Sequence, residues 1–211
     1  MVVSIFFPPL MPVTASGFVI AGSGLFDGST SFLTRTPSSA SNRKTWTYSV
    51  ICKRTGLGVN SGIQWASRAS NGTASGMHVY FTTGNLLRCE IWDGSTQQMD
   101  KITTQVFRDP AAFLHIVIAC DSSNATAEDR WRIYINGVRI TAFGTNTNLT
   151  LNYEPYWNST FKHKVGSGDG HEFDGYIAQA VSIDGLALTP SSFGETTDDG
   201  YWSILDPSGL T

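Results

Sequence analysis

Two stretches of this sequence alternate polar or aromatic side chains with apolar ones. From residue 77 to 82 and from 87 to 92, every second side chain is polar or aromatic, as on one face of a β-strand. A sugar has an apolar ring face and a rim of hydroxyl groups, so proteins bind it with an aromatic ring beside planar polar groups. This face is therefore a candidate glycan-binding surface. Its residues are His78, Tyr80, Arg88, Glu90 and Trp92, together with Gln64 from an earlier strand.

A second candidate set lies in the polar segment 144–160, which contains Tyr153, Tyr156 and Trp157. These rings could stack on a sugar in the same way. In both sets, however, the aromatic side chains could instead pack under a covering loop or against a neighbouring subunit. The sequence alone leaves both interpretations open.

Short strands that could carry these side chains recur along the central part of the chain. Residues 45–54 alternate apolar and polar side chains, and Phe113 to Cys120 is an apolar run too short for a buried helix. Asn136-Gly137 favours a tight hairpin between the strands on either side. About a dozen such strands with almost no helix predict an all-β fold, a two-sheet antiparallel β-sandwich. The residues predicted to be buried include Val117, Trp131, Ile133, Ile135 and Ile177.

Length and composition limit the domain organisation and the classes of partner. The 211 residues suffice for one sandwich domain, which we place at 24–194, between an N-terminal arm (1–23) and a C-terminal tail (195–211). The net charge is −3 and no basic stripe occurs, so nucleic acid is not an expected partner. No apolar run is long enough to span a membrane. Cys52, Cys89 and Cys120 are predicted to be free, buried thiols, which fits assembly in a reducing cytoplasm.

The N-terminal arm is apolar and contains prolines at positions 8, 9 and 12, which favour an extended segment. It is similar to a secretion signal, but it lacks a basic start and its prolines would break the apolar helix. Apolar surface of this extent usually contacts a partner, so we expect the arm to dock on copies of the chain, forming a trimer, and on an underlying structural protein. The alternative is that it folds back over its own sandwich. The predicted assembly residues are Ile5, Phe6, Phe7, Leu10 and Met11.

Several short motifs, taken in order, resemble a known family. They are Phe-Asp-Gly at 26–28, Thr-Trp-Thr-Tyr at 45–48, His-Ile-Val at 115–117, Arg-Ile-Tyr-Ile-Asn-Gly-Val at 132–138 and Phe-Asp-Gly-Tyr-Ile-Ala at 173–178. Together they resemble concanavalin A-like, laminin G-like jelly-roll domains, and in particular those of bacteriophage virion proteins such as tail fibres. The resemblance implies a jelly roll over most of the chain.

The resemblance also brings two kinds of chemistry into consideration. Glucanases of this fold share a Glu-x-Asp-x-x-Glu strand whose carboxylates act as nucleophile and acid, but residues 90–93 and 172–174 both lack the second glutamate. We therefore predict no enzymatic activity, and we expect His115, in its apolar strand, to be structural. Calcium is common in the fold, and Asp121, Asp129 and Asp174 could contribute to a site. Without Asp-x-Asp spacing, hydrogen-bonded loop aspartates are favoured and no cofactor is predicted.

Three functions are compatible with these observations. The one that we favour is a non-enzymatic structural protein of a phage virion, assembled in the host cytoplasm and anchored by its arm, with host-surface polysaccharide as a candidate ligand. Whether it is a fibre, a spike or a surface decoration is left open. The alternatives are a lectin-like carbohydrate-binding module and a glycoside hydrolase. The apolar arm favours the first over the second, and the missing glutamate disfavours the third.

Overall fold

The computed structural model describes residues 18–68, 75–168 and 170–210. The predicted assembly residues Ile5, Phe6, Phe7, Leu10 and Met11 lie outside this part of the chain, so the docking of the arm stays a prediction. Among the described residues, no helix has the length and hydrophobicity that a transmembrane span requires.

Fifteen strands and three short 3-10 helices form the secondary structure of the described residues. In chain order the strands are β1 (Gly24–Asp27), β2 (Leu33–Arg35), β3 (Thr45–Arg54), β4 (Ser61–Ser67), β5 (Ser75–Phe81), β6 (Leu86–Asp93), β7 (Thr96–Val106), β8 (Leu114–Asp121), β9 (Trp131–Ile135), β10 (Val138–Arg139), β11 (Phe143–Thr147), β12 (Lys162–Val165), β13 (Asp174–Asp184), β14 (Gly194–Thr196) and β15 (Trp202–Ile204). The 3-10 helices are Ala127–Asp129, Pro190–Ser192 and Pro207–Gly209.

Two large antiparallel sheets pack face to face, which confirms the predicted all-β sandwich. The six-stranded sheet has the strand order β1-β13-β3-β8-β9-β10, and the seven-stranded sheet has the order β11-β7-β6-β5-β4-β12-β2. Strands β4 to β7 form a continuous meander, because each pairs with its successor in the chain. The meander therefore holds the polar residues of β5 and β6 on directly adjacent strands.

The core between the sheets is centred on tryptophan. Trp46 and Trp131 meet edge to face with ring centroids 5.2 Å apart, and Trp157 lies 6.4 Å from Trp46. Edge-to-face contacts of this kind stabilise a core beyond the area that the rings bury. The predictions that Trp131, Ile133, Ile135 and Ile177 are buried are confirmed, since all four belong to this core.

The six-stranded sheet also buries its outer face. Val117 is buried as predicted, but it belongs to a second apolar cluster with Ala119, Tyr134, Ile183 and Phe193 rather than to the core between the sheets. A strand that is buried on both faces reads as an unbroken apolar run, which explains the composition of β8. The residues after β13 therefore cover this sheet.

His115 fastens the β14–β15 hairpin, part of the predicted tail, to the outer face of the six-stranded sheet. Its Nδ1 accepts a hydrogen bond from Trp202 Nε1 at 2.8 Å, so the ring proton is on Nε2 and is donated to Ser49 Oγ at 2.8 Å. The His115 ring also stacks on Trp202 with centroids 5.9 Å apart. With both nitrogens engaged, His115 has the structural role expected from its position in an apolar strand.

Acid should destabilise the protein through His115. Burial lowers the pKa of His115 from 6.5 to about 4, so between these values the unfolded chain binds a proton that the folded protein excludes. The free energy of unfolding should therefore fall as the pH drops from 6.5 towards 4, by up to about 3 kcal/mol from this residue. Urea unfolding at pH 7 and pH 4.5, compared between the wild-type protein and His115→Gln, measures the effect.

The variant should be less stable at pH 7, because it loses hydrogen bonds, but its stability should depend less on pH. Equal pH dependence in the two proteins would show that His115 does not carry the effect.

Candidate functional site

Five residues predicted from alternation lie together on the outer face of the seven-stranded sheet. The register of β5 and β6 aligns His78 with Glu90 and Tyr80 with Arg88, and Trp92 follows on β6. The intervening side chains of both strands belong to the core on the other face. The structure thus brings the set together, while its assignment as a ligand surface stays a prediction.

Arg88 is the centre of this surface. Its Nε and Nη2 donate to Asp100 Oδ1 and Oδ2 at 2.8 and 2.9 Å, and its Nη1 donates to the Tyr80 hydroxyl at 2.8 Å. Glu90 Oε2 lies 3.0 Å from Nη2 on the other side. The hydrogen bonds that Arg88 donates to Asp100 hold the pKa of Arg88 above its usual range, despite partial burial. The guanidinium is therefore a permanent cation fixed between two carboxylates.

Trp92 is held in place by the same network. Its Nε1 donates to Glu90 Oε2 at 2.9 Å, which fixes the orientation of a half-buried indole ring. Arg88 retains 24% of its side-chain exposure, whereas His78, Tyr80 and Glu90 are only 2 to 7% exposed. Trp92 and Arg88 are thus the members of the set that a ligand can reach, and Tyr80 and Glu90 hold them in place.

Tyr80 shows how the less exposed residues are covered. Its ring lies 5.5 Å from that of His171, in the loop before β13. A Cβ on Gly62, next to Tyr80 across the β4–β5 register, would come within 2.1 Å of the backbone of this loop. Burial, followed by the charge of Glu90, raises the pKa of Tyr80 to about 12, so its hydroxyl keeps its proton. The loop therefore approaches the sheet closely and borders the exposed part of the surface.

Asp100 was missed by the sequence analysis. It lies on β7 opposite Glu90, so that the two carboxylates share one face of the sheet with Arg88 between them. Alternation within β7 places Asp100 on one face of a strand, but it does not reveal which residue of β6 lies opposite. Cross-strand register depends on turns and bulges that the strand pattern does not specify.

The prediction that Gln64 belongs to this polar face is wrong. The β4–β5 register shifts between Gly62 and Gln64, and Gln64 is aligned with Val79 and Val165, which belong to the core or pack against it. A bulge inserts one extra residue and so breaks strict alternation. Gln64 is fully buried on the inner side, and Trp65 takes the outer position opposite His78 instead.

The loop set is placed in the core rather than with the first set. Tyr156 and Trp157 are each 5% exposed, and Tyr153 packs against the same cluster. Trp157 Nε1 donates to Ser182 Oγ at 2.9 Å, and its ring meets Tyr48 at 5.4 Å. Burial therefore leaves the Trp157 ring little surface for a sugar. The rings of this set pack against the core, which is the alternative that the sequence left open.

A second polar cluster, also missed by the sequence analysis, lies on the inner side of β7. Lys101 is 1% exposed, and its Nζ donates to Asn146 Oδ1 at 2.5 Å, to Asn148 Oδ1 at 2.6 Å and to Glu128 Oε2 at 3.3 Å. Burial lowers the pKa of Lys101, and the carboxylate of Glu128 opposes that effect. Three partners use all three ammonium protons, as a buried cation requires.

The three aspartates considered for calcium are separately engaged. Asp121 accepts from the Ser123 hydroxyl at 2.6 Å, Asp174 accepts from Thr55 Oγ1 at 2.6 Å, and Asp129 pairs with Arg139 at 2.6 Å. Across residues 18–68, 75–168 and 170–210, no three metal-ligating side chains come together. Their present partners are the loop hydrogen bonds and the ion pair that such aspartates commonly form.

Several solved structures have a fold similar to that of this chain. The CBM40 domain of Ruminococcus gnavus IT-sialidase, bound to α2,3 sialyllactose, aligns with a TM-score of 0.56 and 11% identity over 84% of this chain and 92% of its own. A heptameric SAP-like pentraxin from Limulus polyphemus aligns with a TM-score of 0.54 and 13% identity over 78% of this chain and 76% of its own. At such identities the likeness shows the fold alone.

A third structure, the K499G mutant of NanB sialidase from Streptococcus pneumoniae, aligns with a TM-score of 0.54 and 12% identity over 83% of this chain but only 29% of its own. No curated protein sequence matches the chain significantly. The sequence profile of the concanavalin A-like lectin/glucanases superfamily matches residues 27–192, from the end of β1 to the helix that precedes β14. Since this match spans well over half of the chain, the protein belongs to the concanavalin A-like lectin/glucanases superfamily.

Proposed function

We propose that the protein is a non-catalytic carbohydrate-binding domain that contacts its ligand through Trp92 and Arg88. The observation that carries this proposal is the pairing of a half-buried indole with a partly exposed guanidinium on one sheet face, both fixed by Glu90. An aromatic face packs on the apolar side of a sugar, and a planar polar group binds its hydroxyls. The CBM40 neighbour, which binds sialyllactose, supports this class of ligand.

The state of the carboxylates favours binding over hydrolysis. Glycoside hydrolysis needs one carboxyl group as an acid and a second as a base or nucleophile. Glu90 and Asp100 are the paired carboxylates of this face, and both lie within 3.0 Å of the Arg88 guanidinium. Because both carboxylates are engaged by the same guanidinium, neither is free to act on a glycosidic bond. The proposed role of both is to hold Arg88 and Trp92 in place.

Binding to immobilised glycans should depend on Trp92. A glycan array identifies a ligand for the wild-type protein. Calorimetry then measures the affinity of that ligand for the wild-type protein, for Trp92→Ala and for Phe113→Ala. Phe113 is a matched control, because it is 50% exposed on the other side of the sandwich, beside Ile51 of the six-stranded sheet. Loss of a central aromatic contact should weaken binding by about tenfold or more.

The control should bind like the wild-type protein. Equal affinity of Trp92→Ala and wild type, or an equal loss in Phe113→Ala, would contradict the proposed surface.

The placement of this domain on a virion is the second part of the proposal. It is supported by the sequence resemblance to phage virion proteins and by the apolar arm, whose residues 5–11 contain three apolar side chains before Pro8-Pro9 and two after. We propose that the arm anchors the domain to other structural proteins and to copies of itself, with a trimer as the expected assembly. One structural neighbour, the pentraxin, is itself a heptamer.

Deletion of residues 1–22 tests the role of the arm. Light scattering should show that the full chain forms oligomers and that the truncated chain is a folded monomer, because the sandwich has its own core. Thermal unfolding of both proteins provides the control for folding. A truncated protein that unfolds or aggregates would instead place the arm in the domain's own core, and an unchanged oligomer would remove its assembly role.

A further inference from the structure

A small cavity lies at the edge of the sandwich, away from the Trp92 surface. It has a volume of about 240 Å³ and is bounded by the 3-10 helix Ala127–Asp129, by strand β10 and the residues that follow it, and by β11. Its walls combine the aromatic rings of Trp131 and Phe143 with the polar groups of Glu128, Arg139 and Asn146. Apolar walls with a few polar groups are the usual composition of a small-molecule site.

Glu128, in the wall of this cavity, belongs to a fixed hydrogen-bond network. Glu128 Oε1 accepts from Asn148 Nδ2 at 2.7 Å and from Asn146 Nδ2 at 3.1 Å, while its Oε2 accepts from Lys101. The hydrogen bond from Asn148 lowers the pKa of Glu128, and the charge of Lys101 lowers it further. Glu128 is therefore an oriented carboxylate, although 51% of its side chain is exposed.

Hydrogen-bonding capacity is left over on two of the wall residues. A carboxylate has about four lone-pair sites, and Glu128 uses three of them, which leaves one on Oε2. Arg139 Nη2 donates to the Glu128 carbonyl at 3.0 Å and to Asp129 Oδ1 at 2.6 Å. Its Nε and Nη1 have no partner within the described residues, so their hydrogens are available to a ligand. A free acceptor site on Glu128 and free donors on Arg139 match the hydroxyl groups of a sugar, each of which donates and accepts.

The charges at the cavity cancel. Lys101 and Arg139 are balanced by Glu128 and Asp129, so the cavity has no excess positive charge to attract an anionic group. The Phe143 ring is half-buried, with Lys101 Nζ 4.8 Å from its centroid, and can pack against an apolar ring face. We infer that this cavity binds a single neutral hexose residue, with Glu128 and Arg139 on its hydroxyls and Phe143 on its ring. The inference extends the proposed carbohydrate binding to a second location.

The test adds methyl glucoside, methyl galactoside, methyl mannoside or sialic acid to the full chain. Binding is observed in the backbone amide signals of the protein by NMR. At least one neutral hexoside should shift the amides of Ile140 and Asn146, with a dissociation constant of about a millimolar, as expected for a ligand of this size. Arg139→Met keeps the aliphatic stem but removes the donors, and should weaken binding by about tenfold. Phe143→Ala should weaken it as well.

Thr145→Ala is the matched control, because Thr145 lies on the same strand as Phe143 but is aligned with Ile102 on the outer face. It should bind like the wild-type protein. Shifts near Trp92 without shifts near Asn146 would overturn this inference and leave the proposed function standing, whereas no response to any glycan would contradict both. Binding of sialic acid alone in the cavity, or unchanged affinity in Arg139→Met, would show that the neutral-hexose assignment is wrong.

Discussion

Two consecutive residues of β7, Asp100 and Lys101, connect the two polar clusters of this protein. Because side chains alternate along a strand, Asp100 faces outward and binds Arg88, while Lys101 faces inward and binds Glu128. A cation taken out of water is costly unless opposite charges and hydrogen-bond acceptors surround it. Arg88 meets this requirement with partners on neighbouring strands of the meander, and Lys101 meets it with partners from a later part of the chain. Each cluster thereby orders the side chains that border a surface.

This constraint also decides which groups remain for a ligand. Carboxylates that neutralise Arg88 act as supports, so Trp92 and the exposed part of Arg88 carry the proposed contact with a glycan. On the inner side, the hydrogen bonds around the buried ammonium also hold Glu128 in place, and one lone pair of its carboxylate stays unused. The outer face of the six-stranded sheet is different, because the His115–Trp202 hydrogen bond and the residues after β13 cover it. The two proposed ligand contacts thus lie on β6 and at the edge beside β11.

Alternation within single strands was sufficient to predict the sandwich, the burial of Trp131 and the shared face of Tyr80 and Arg88. It failed where strands interact. The bulge before Gln64 placed its side chain on the inner face instead of the outer one. The register that pairs Asp100 with Glu90 cannot be read from the sequence of either strand alone. Burial of the second face of β8, and of Trp157 in the core between the sheets, depends on segments that are far away in sequence. Lys101 was overlooked because a lysine in a strand reads as exposed unless its partners on β11 and the 127–129 helix are known.

We propose that this domain holds a glycan without cleaving it, because Arg88 engages both Glu90 and Asp100, the paired carboxylates on this face of the seven-stranded sheet. Proton NMR of a bound glycan, followed over time with the protein in catalytic amounts and then in excess, tests binding and cleavage in one sample. The account predicts broadened glycan signals in excess protein and no new reducing-end anomeric signals over time. New anomeric signals that disappear in Glu90→Gln or Asp100→Asn would contradict it.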